Sequence, residues 1–339
     1  MPEFKTFATA AIVLLLTTGA AHAGPTLDAV RKNGFIKCGV SDGLPGFSFA
    51  DDKGHFSGID VDVCRGIAAA VFGDATKVRF ISLTARDRFT ALQSGKVDVL
   101  SRNTTWTSSR DTTLNLHFTG ITYYDGQGFL VNKKLGVKSA RELDGATVCL
   151  RAGTTTELNL RDYFHANQMK FTPVVYEKSD ESAKALEAGD CNALTSDQSQ
   201  LYALRIKLAH PDEYVVLPEV ISKEPLGPVV RHGDDDWFNI VRWTLFAMVN
   251  AEELGVNSRN VEDMKKSINP DVKRLLGVEG DTGKDFGLAN DWMATVIKQV
   301  GNYGEIFDRN VGQGSPLQIS RGLNALWTQG GLQYAPPVR

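Results

Sequence analysis

Short apolar runs alternate with longer amphipathic stretches along most of the chain. Residues 35–40 read as a buried strand. Residues 59–72 read as a helix whose apolar positions Val63, Ile67, Ala70 and Val71 recur at helical spacing. A strand over 78–81, a helix over 86–94 and a strand over 97–101 continue the series. A second series runs through a strand at 146–150, a helix at 155–167, a strand at 173–176, a helix at 182–187 and a strand at 191–195. Strands that alternate with helices predict βαβ units and mostly parallel sheets flanked by helices.

The two series echo each other. Ala91, Leu92, Gly95 and Leu100 recur as Ala185, Leu186, Gly189 and Leu194, each 94 residues later. In both copies a helix ends at a glycine C-cap and turns into a short strand. The pattern predicts an α/β protein of two similarly built lobes. Its ligand chemistry is expected beyond the C-terminal ends of the strands. Toward the C-terminus, 261–276 and 292–300 look helical, and 314–316 begins another connection.

Composition narrows the class. The 339 residues are 42% hydrophobic and 23% charged, with 37 Lys and Arg against 40 Asp and Glu. This is globular composition, and a formal net charge of −3 argues against a nucleic-acid binder. At the N-terminus, Lys5 precedes an apolar run over 7–20 and the small-x-small triplet Ala21-His22-Ala23. Residues 1–23 therefore read as a secretory signal peptide, too short to span a bilayer. No later stretch approaches a membrane span, and the cleavage point has no lipid-accepting cysteine. The mature chain is expected to be exported and soluble.

Export changes the meaning of the four cysteines. In an oxidising compartment they are expected to pair, and their spacings fit no zinc pattern. Three connectivities are open. Pairing within each region is simplest, Cys38 with Cys64 and Cys149 with Cys191; the alternative is four buried free thiols. The six histidines make no metal-ligand pair, and neither metal nor cofactor is expected. No P-loop or GxGxxG is present. Asp60 and Asp62 fall in the first turn of a helix, where carboxylates complement the dipole, so no catalytic role is assigned to them. The run Asp234 to Asp236 reads as a solvated helix start.

The residues beyond the two echoing strands point to one ligand chemistry. After Leu100 come Ser101, Arg102, Asn103, Thr104, Thr105, Trp106, Thr107 and, shortly after, Arg110. After Leu194 come Thr195, Ser196 and Asp197. One lobe offers hydroxyls and a guanidinium, the other a carboxylate. Arginine grips a carboxylate as a fork, and aspartate accepts hydrogen bonds from an ammonium. The smallest common molecule bearing both groups is a free amino acid. Gly153, Thr154 and Thr155 then open a helix, whose free N–H groups and Thr155 hydroxyl suit a carboxylate; the plainer reading makes Thr154 an N-cap.

Several of these segments together resemble the family 3 solute-binding proteins, the periplasmic receptors of polar amino-acid ABC transporters. The segment 58–68 (Gly-Ile-Asp-Val-Asp-Val-Cys-Arg-Gly-Ile-Ala) looks like the family signature, and 91–98, Thr105-x-Thr107-x-x-Arg110, 153–155 and the strand-end Asp197 are similar to the family's. The long form, with 101–107 and a C-terminal extension, is most similar to the general L-amino acid-binding subgroup. The resemblance implies the two-lobed type II periplasmic-binding fold. Lobe 1 would hold 24–123 and 222–339, and lobe 2 would hold 124–221. It implies a monomer that delivers its ligand to inner-membrane permease subunits.

It also implies roles for matching positions. Arg110 would clamp the α-carboxylate, helped by Thr105 and the amides at Thr155. Asp197 would take the α-ammonium, with Asn103 as a second acceptor. Ser41, Leu44 and Arg86 would contact the ligand side chain. Leu44 stands where relatives often carry an aromatic shelf, which suits broad polar specificity including glutamate, glutamine and aspartate. The competing expectation is a periplasmic enzyme on the same fold, of the cyclohexadienyl dehydratase kind, needing an acid or base beside the pocket.

Overall fold

The computed structural model describes residues 24–339; the signal-peptide expectation for 1–23 lies outside them. Two five-stranded sheets organise the chain. In the first the order is Val78–Leu83, Ile36–Ser41, Val99–Leu100, Val229–Arg231, Leu116–Phe118. In the second it is Phe171–Tyr176, Ala146–Arg151, Ala193–Asp197, Gln127–Asn132, Tyr214–Val216. In each sheet the first three strands are parallel and the fourth runs against both its neighbours. The sheets are thus mixed, with one reversed strand apiece. That strand is in both cases the segment that has just crossed from the other sheet.

The crossings themselves pair. Tyr123–Asp125 lies antiparallel to Glu224–Leu226, with Asp125 opposite Glu224 and Tyr123 opposite Leu226. A two-stranded ribbon of this kind joins the lobes.

Helices cover the sheets where the periodicity placed them. Ile59–Phe72 buries eleven of its fourteen residues, more than one amphipathic stripe requires. The sheet takes one side through Val63, Cys64 and Ile67. The other side is covered by Asp235–Glu253 and by Trp292–Val300 of the C-terminal extension. Cys38 and Cys64 are bonded, tying the first strand to this helix, and Cys149 and Cys191 are bonded within the second lobe.

The stretch 261–276, expected as one helix, is two: Val261–Met264 and Pro270–Leu275. Pro270 cannot donate to a preceding turn, and the Asn269 side chain caps the new start by accepting the Asp271 N–H at 2.9 Å. The extension is anchored through Asp62, which accepts from Arg309 Nε and Nη2 at 3.0 and 2.7 Å and from Asn310 Nδ2 at 2.7 Å. Its last segment returns to the hinge. Tyr303 Oη donates to Thr122 O at 2.8 Å, and Gln333 Nε2 donates to Ile121 O at 3.3 Å. Among the described residues no helix is long and apolar enough to cross a membrane.

Candidate functional site

Strand ends and turns from both sheets converge between the lobes. After Val99–Leu100 the chain turns through Ser101, Arg102 and Asn103, the last in the left-handed region at φ 41°. A carboxylate holds this turn. Asp60 accepts from the Asn103 N–H at 3.1 Å and from Ser101 Oγ at 3.3 Å. Burial pushes Asp60 up to about 7, against the pull of those hydrogen bonds and of Arg102. The helix-start position expected for Asp60 is therefore only half its role, since it also shapes the strand-end turn. Thr107 then caps the short helix Ser108–Thr112, from which Arg110 reaches back and donates to Thr105 O at 2.7 Å.

The second lobe supplies the facing wall. Arg151 ends its strand, and Gly153 to Thr155 lead into the helix Thr156–Ala166. Thr154 is not the N-cap; its hydroxyl donates to Arg151 O at 2.8 Å, and Thr155 stands at the cap position. Thr155 Oγ1 instead donates to Glu224 Oε2 at 3.0 Å, linking this helix start to the hinge. Asp197 ends Ala193–Asp197 and accepts from Gln200 Nε2 at 2.9 Å.

Between these walls is a narrow cleft. Arg88, Asn103 and Thr105 line it from one lobe; Arg151, Thr154, Thr155, Thr156, Ser196, Asp197 and Gln200 line it from the other. Of the sequence-derived candidates, Asn103, Thr105, Thr155 and Asp197 are brought together here. Arg110 stands directly behind Thr105. Three others lie elsewhere. Ser41 is buried behind the loop, its N–H donating to Ser48 Oγ at 2.8 Å. Leu44 closes a tight turn with Ser48, which drives its side chain into the apolar core with Phe47 and Tyr123. Arg86 is two-thirds exposed on the rim, paired at 3.0 Å with Glu177 of the other lobe.

The cavity is strongly polarised. Arg88, Arg102, Arg110 and Arg151 are all buried around it, and desolvation lowers the proton affinity of each. Arg102 falls to about 9, through burial first and the neighbouring Arg151 second. On the other side sit Asp197 and the hinge pair Asp125 and Glu224. Burial raises Asp197 well above the carboxylate range; Asp125 and Glu224 add to this and Arg151 opposes it. Asp125 rises to about 6, chiefly through burial. Asn103 Oδ1 and Nδ2, Arg88 Nε and Arg151 Nε are buried with no partner inside the protein. Such groups ordinarily carry a hydrogen bond.

Sequence reasoning passed over Arg88, Arg151, Gln200, Asp125, Glu224 and the full role of Asp60. Arg151 was within reach of the rule that found Asp197, since both end parallel strands. Arg88 was two positions from Arg86, and only the start of the helix Arg88–Gln93 decides which one turns inward. Among the described residues no cluster of His, Cys, Asp and Glu is arranged to hold a metal ion.

Comparison with known proteins adds three findings. The family model for bacterial extracellular solute-binding proteins, family 3, matches residues 36–259. The chain is 69% identical over 331 residues to the putative amino-acid ABC transporter-binding protein YhdW of Escherichia coli (strain K12), and 60% identical over 331 residues to the general L-amino acid-binding periplasmic protein AapJ of Rhizobium johnstonii, covering 97% of each chain in both cases. A solved periplasmic binding protein from Brucella ovis, with glutathione bound, superposes with a TM-score of 0.92 at 60% identity, over 94% of this chain and 100% of that one. With its paired α/β sheets, its two-stranded hinge and this match over most of its length, the chain belongs to the bacterial extracellular solute-binding proteins of family 3.

Proposed function

We propose that the interlobe cavity takes the zwitterionic head of a free polar amino acid. Arg110, Thr105 and the amides at Thr155 bind the α-carboxylate; Asp197 and Asn103 bind the α-ammonium. The protein is the periplasmic binding component of an ABC transporter for polar amino acids of the glutamate, glutamine and aspartate type, and it delivers them to a membrane permease. The family is one of binding proteins rather than enzymes, which sets the dehydratase alternative aside.

One observation carries the assignment of the cavity. Buried polar atoms without a protein partner, on Asn103, Arg88 and Arg151, lie around one interlobe space that the Asp197 carboxyl also lines. A ligand with both charges satisfies all of them at once. Closure of the hinge excludes water and strengthens each of those contacts.

The glutathione-bound Brucella relative favours a wider ligand set. Glutathione begins with a γ-linked glutamate, so it presents the same α-amino and α-carboxylate head, followed by a further carboxylate. Calorimetry with each of the twenty amino acids and with glutathione tests the reading, using protein unfolded and refolded to strip carried-over ligand. Polar L-amino acids are expected to bind with one-to-one stoichiometry. Absence of heat with every amino acid would refute it.

A further inference from the structure

We propose that Asp42 is the resident counter-ion of a second anion subsite, formed by Arg102 and Arg151, and that it sets the preference between a ligand carrying a second carboxylate and its amide counterpart. This rests on the amino-acid reading above.

The α-head described above does not use Arg102 or Arg151. The Arg102 side chain is fully buried; its Nε donates to Leu83 O at 2.8 Å, while Nη1 and Nη2 have no hydrogen-bond partner inside the protein. A buried guanidinium left in this way is costly unless a charge answers it. Asp60 answers it from one side, and the nearer charge is Asp42, whose Oδ1 lies 3.6 Å from Arg102 Nη2 and 4.0 Å from Arg151 Nη1. Both separations exceed a hydrogen bond. One carboxylate is therefore shared loosely between guanidiniums from opposite lobes. Arg151 completes its contacts on Ser179 Oγ, and its Nε is unpartnered.

Asp42 is also placed to move. It is the partly exposed member of the trio, and it borders a surface recess with Gly43, Lys178, Ser179 and Asp180. The carboxylate turns outward into that recess when the ligand brings a carboxylate of its own. It stays between the arginines when the ligand ends in a neutral amide. A pocket built with Arg102 and Arg151 alone would strongly favour acidic side chains. With an adjustable counter-ion it accepts both, which is the physical content of broad polar specificity.

Glutamate and glutamine are the probes, since they have nearly the same shape and differ in charge. Their affinities are measured by calorimetry for the wild type, Asp42→Asn and Arg102→Gln, with L-serine as a ligand that lacks a long side chain. Asp42→Asn is expected to raise the glutamate-to-glutamine affinity ratio about tenfold, and Arg102→Gln to lower it below the wild-type value. Serine affinity should change little in either variant. A ratio unmoved by Asp42→Asn overturns the proposal. So does an equal loss for all three ligands, which would make Asp42 a structural residue only. Melting curves of the ligand-free variants identify any that fail to fold, and Asp42→Ser then replaces Asp42→Asn with the same expected direction. Wild-type protein that binds none of the three would instead refute the amino-acid reading itself, and the subsite with it.

Discussion

Asn324 clasps both backbone groups of Tyr124: its Oδ1 accepts the Tyr124 N–H at 2.7 Å and its Nδ2 donates to Tyr124 O at 3.0 Å. One side chain from the C-terminal extension thus behaves as a neighbouring strand for the first hinge segment. With Tyr303 on Thr122 and Gln333 on Ile121, the extension fixes the chain up to the middle of the hinge. Bending is left to the stretch beyond, near Asp125 and Gly126 on one strand and Ser222 to Glu224 on the other. Asn324→Ala should cost about 1–3 kcal/mol through two lost buried hydrogen bonds. It should speed amide exchange at Tyr124 while leaving strands of the second lobe unchanged. Equal exchange at Tyr124 in variant and wild type would rule out the clasp.

Arg110 has the geometry of a clamp anchored at one end. Its Nη1 is tied to Thr105 O, which fixes the guanidinium beside the cavity wall. Arg110→Met keeps an unbranched side chain there and removes the charge, including the guanidinium that lies over the Phe89 ring at 5.1 Å. Every amino acid tried should lose about 2–5 kcal/mol of binding, since the α-carboxylate is common to all. A loss confined to some ligands would place Arg110 at the side-chain end instead.

Proton release should accompany binding. Burial first, then the carboxylates Asp125 and Glu224, raise the proton affinity of Asp197 in the ligand-free protein. An ammonium placed against it favours the charged form, so its proton affinity falls on binding. Affinity should therefore increase as pH rises above the ordinary carboxylate range, by up to about tenfold per unit where one whole proton is released. Calorimetry in buffers of different ionisation enthalpy counts that proton. Asp197→Asn should bind more weakly and without it.

Gly153 lies close against the opposite lobe. It has φ +72°, and a Cβ there would come within 3.1 Å of Arg86 Cα and 3.2 Å of Arg86 N, backbone atoms of the opposite lobe. The clash with Arg86 is met when the lobes close, on top of the strain that φ +72° imposes on any side chain. Gly153→Val should weaken all ligands at least tenfold and shift small-angle scattering with saturating ligand toward a larger radius. Full compaction by the variant would count against the contact.

Asp60 makes stability depend on pH. Its folded value, about 7, lies above the ordinary 3.8, so the folded state holds the proton more tightly. Its contribution is present in full below about pH 4 and is lost as pH rises through about 7. The melting temperature of the wild type minus that of Asp60→Asn should fall between about pH 4 and about pH 7. A difference that is flat with pH would show that Asp60 titrates normally.

Much of this was open to reading from the chain. The alternation of strands and helices, the repeat at 94 residues and the family segments follow from local pattern, and the family and fold class rest on them. Asn103, Thr105, Thr155 and Asp197 come together because strand ends in α/β sheets do so as a rule. Leu44 and Arg86 lie elsewhere for reasons that pattern does not carry. A two-residue difference along one turn, or a backbone pairing with Ser48, decides which side chain faces inward.

Local sequence, then, determined the elements, their order, the two lobes and the need for a ligand of both charges, because periodicity and residue chemistry act over a few neighbours. Tertiary structure alone decided that Asp62 meets Arg309, that Asn324 grips Tyr124, and that Asp42 lies between two guanidiniums. Those contacts join residues as much as 247 positions apart. They depend on how the extension and the two sheets are packed, and a carboxylate carries no local mark of the distant cation it will meet.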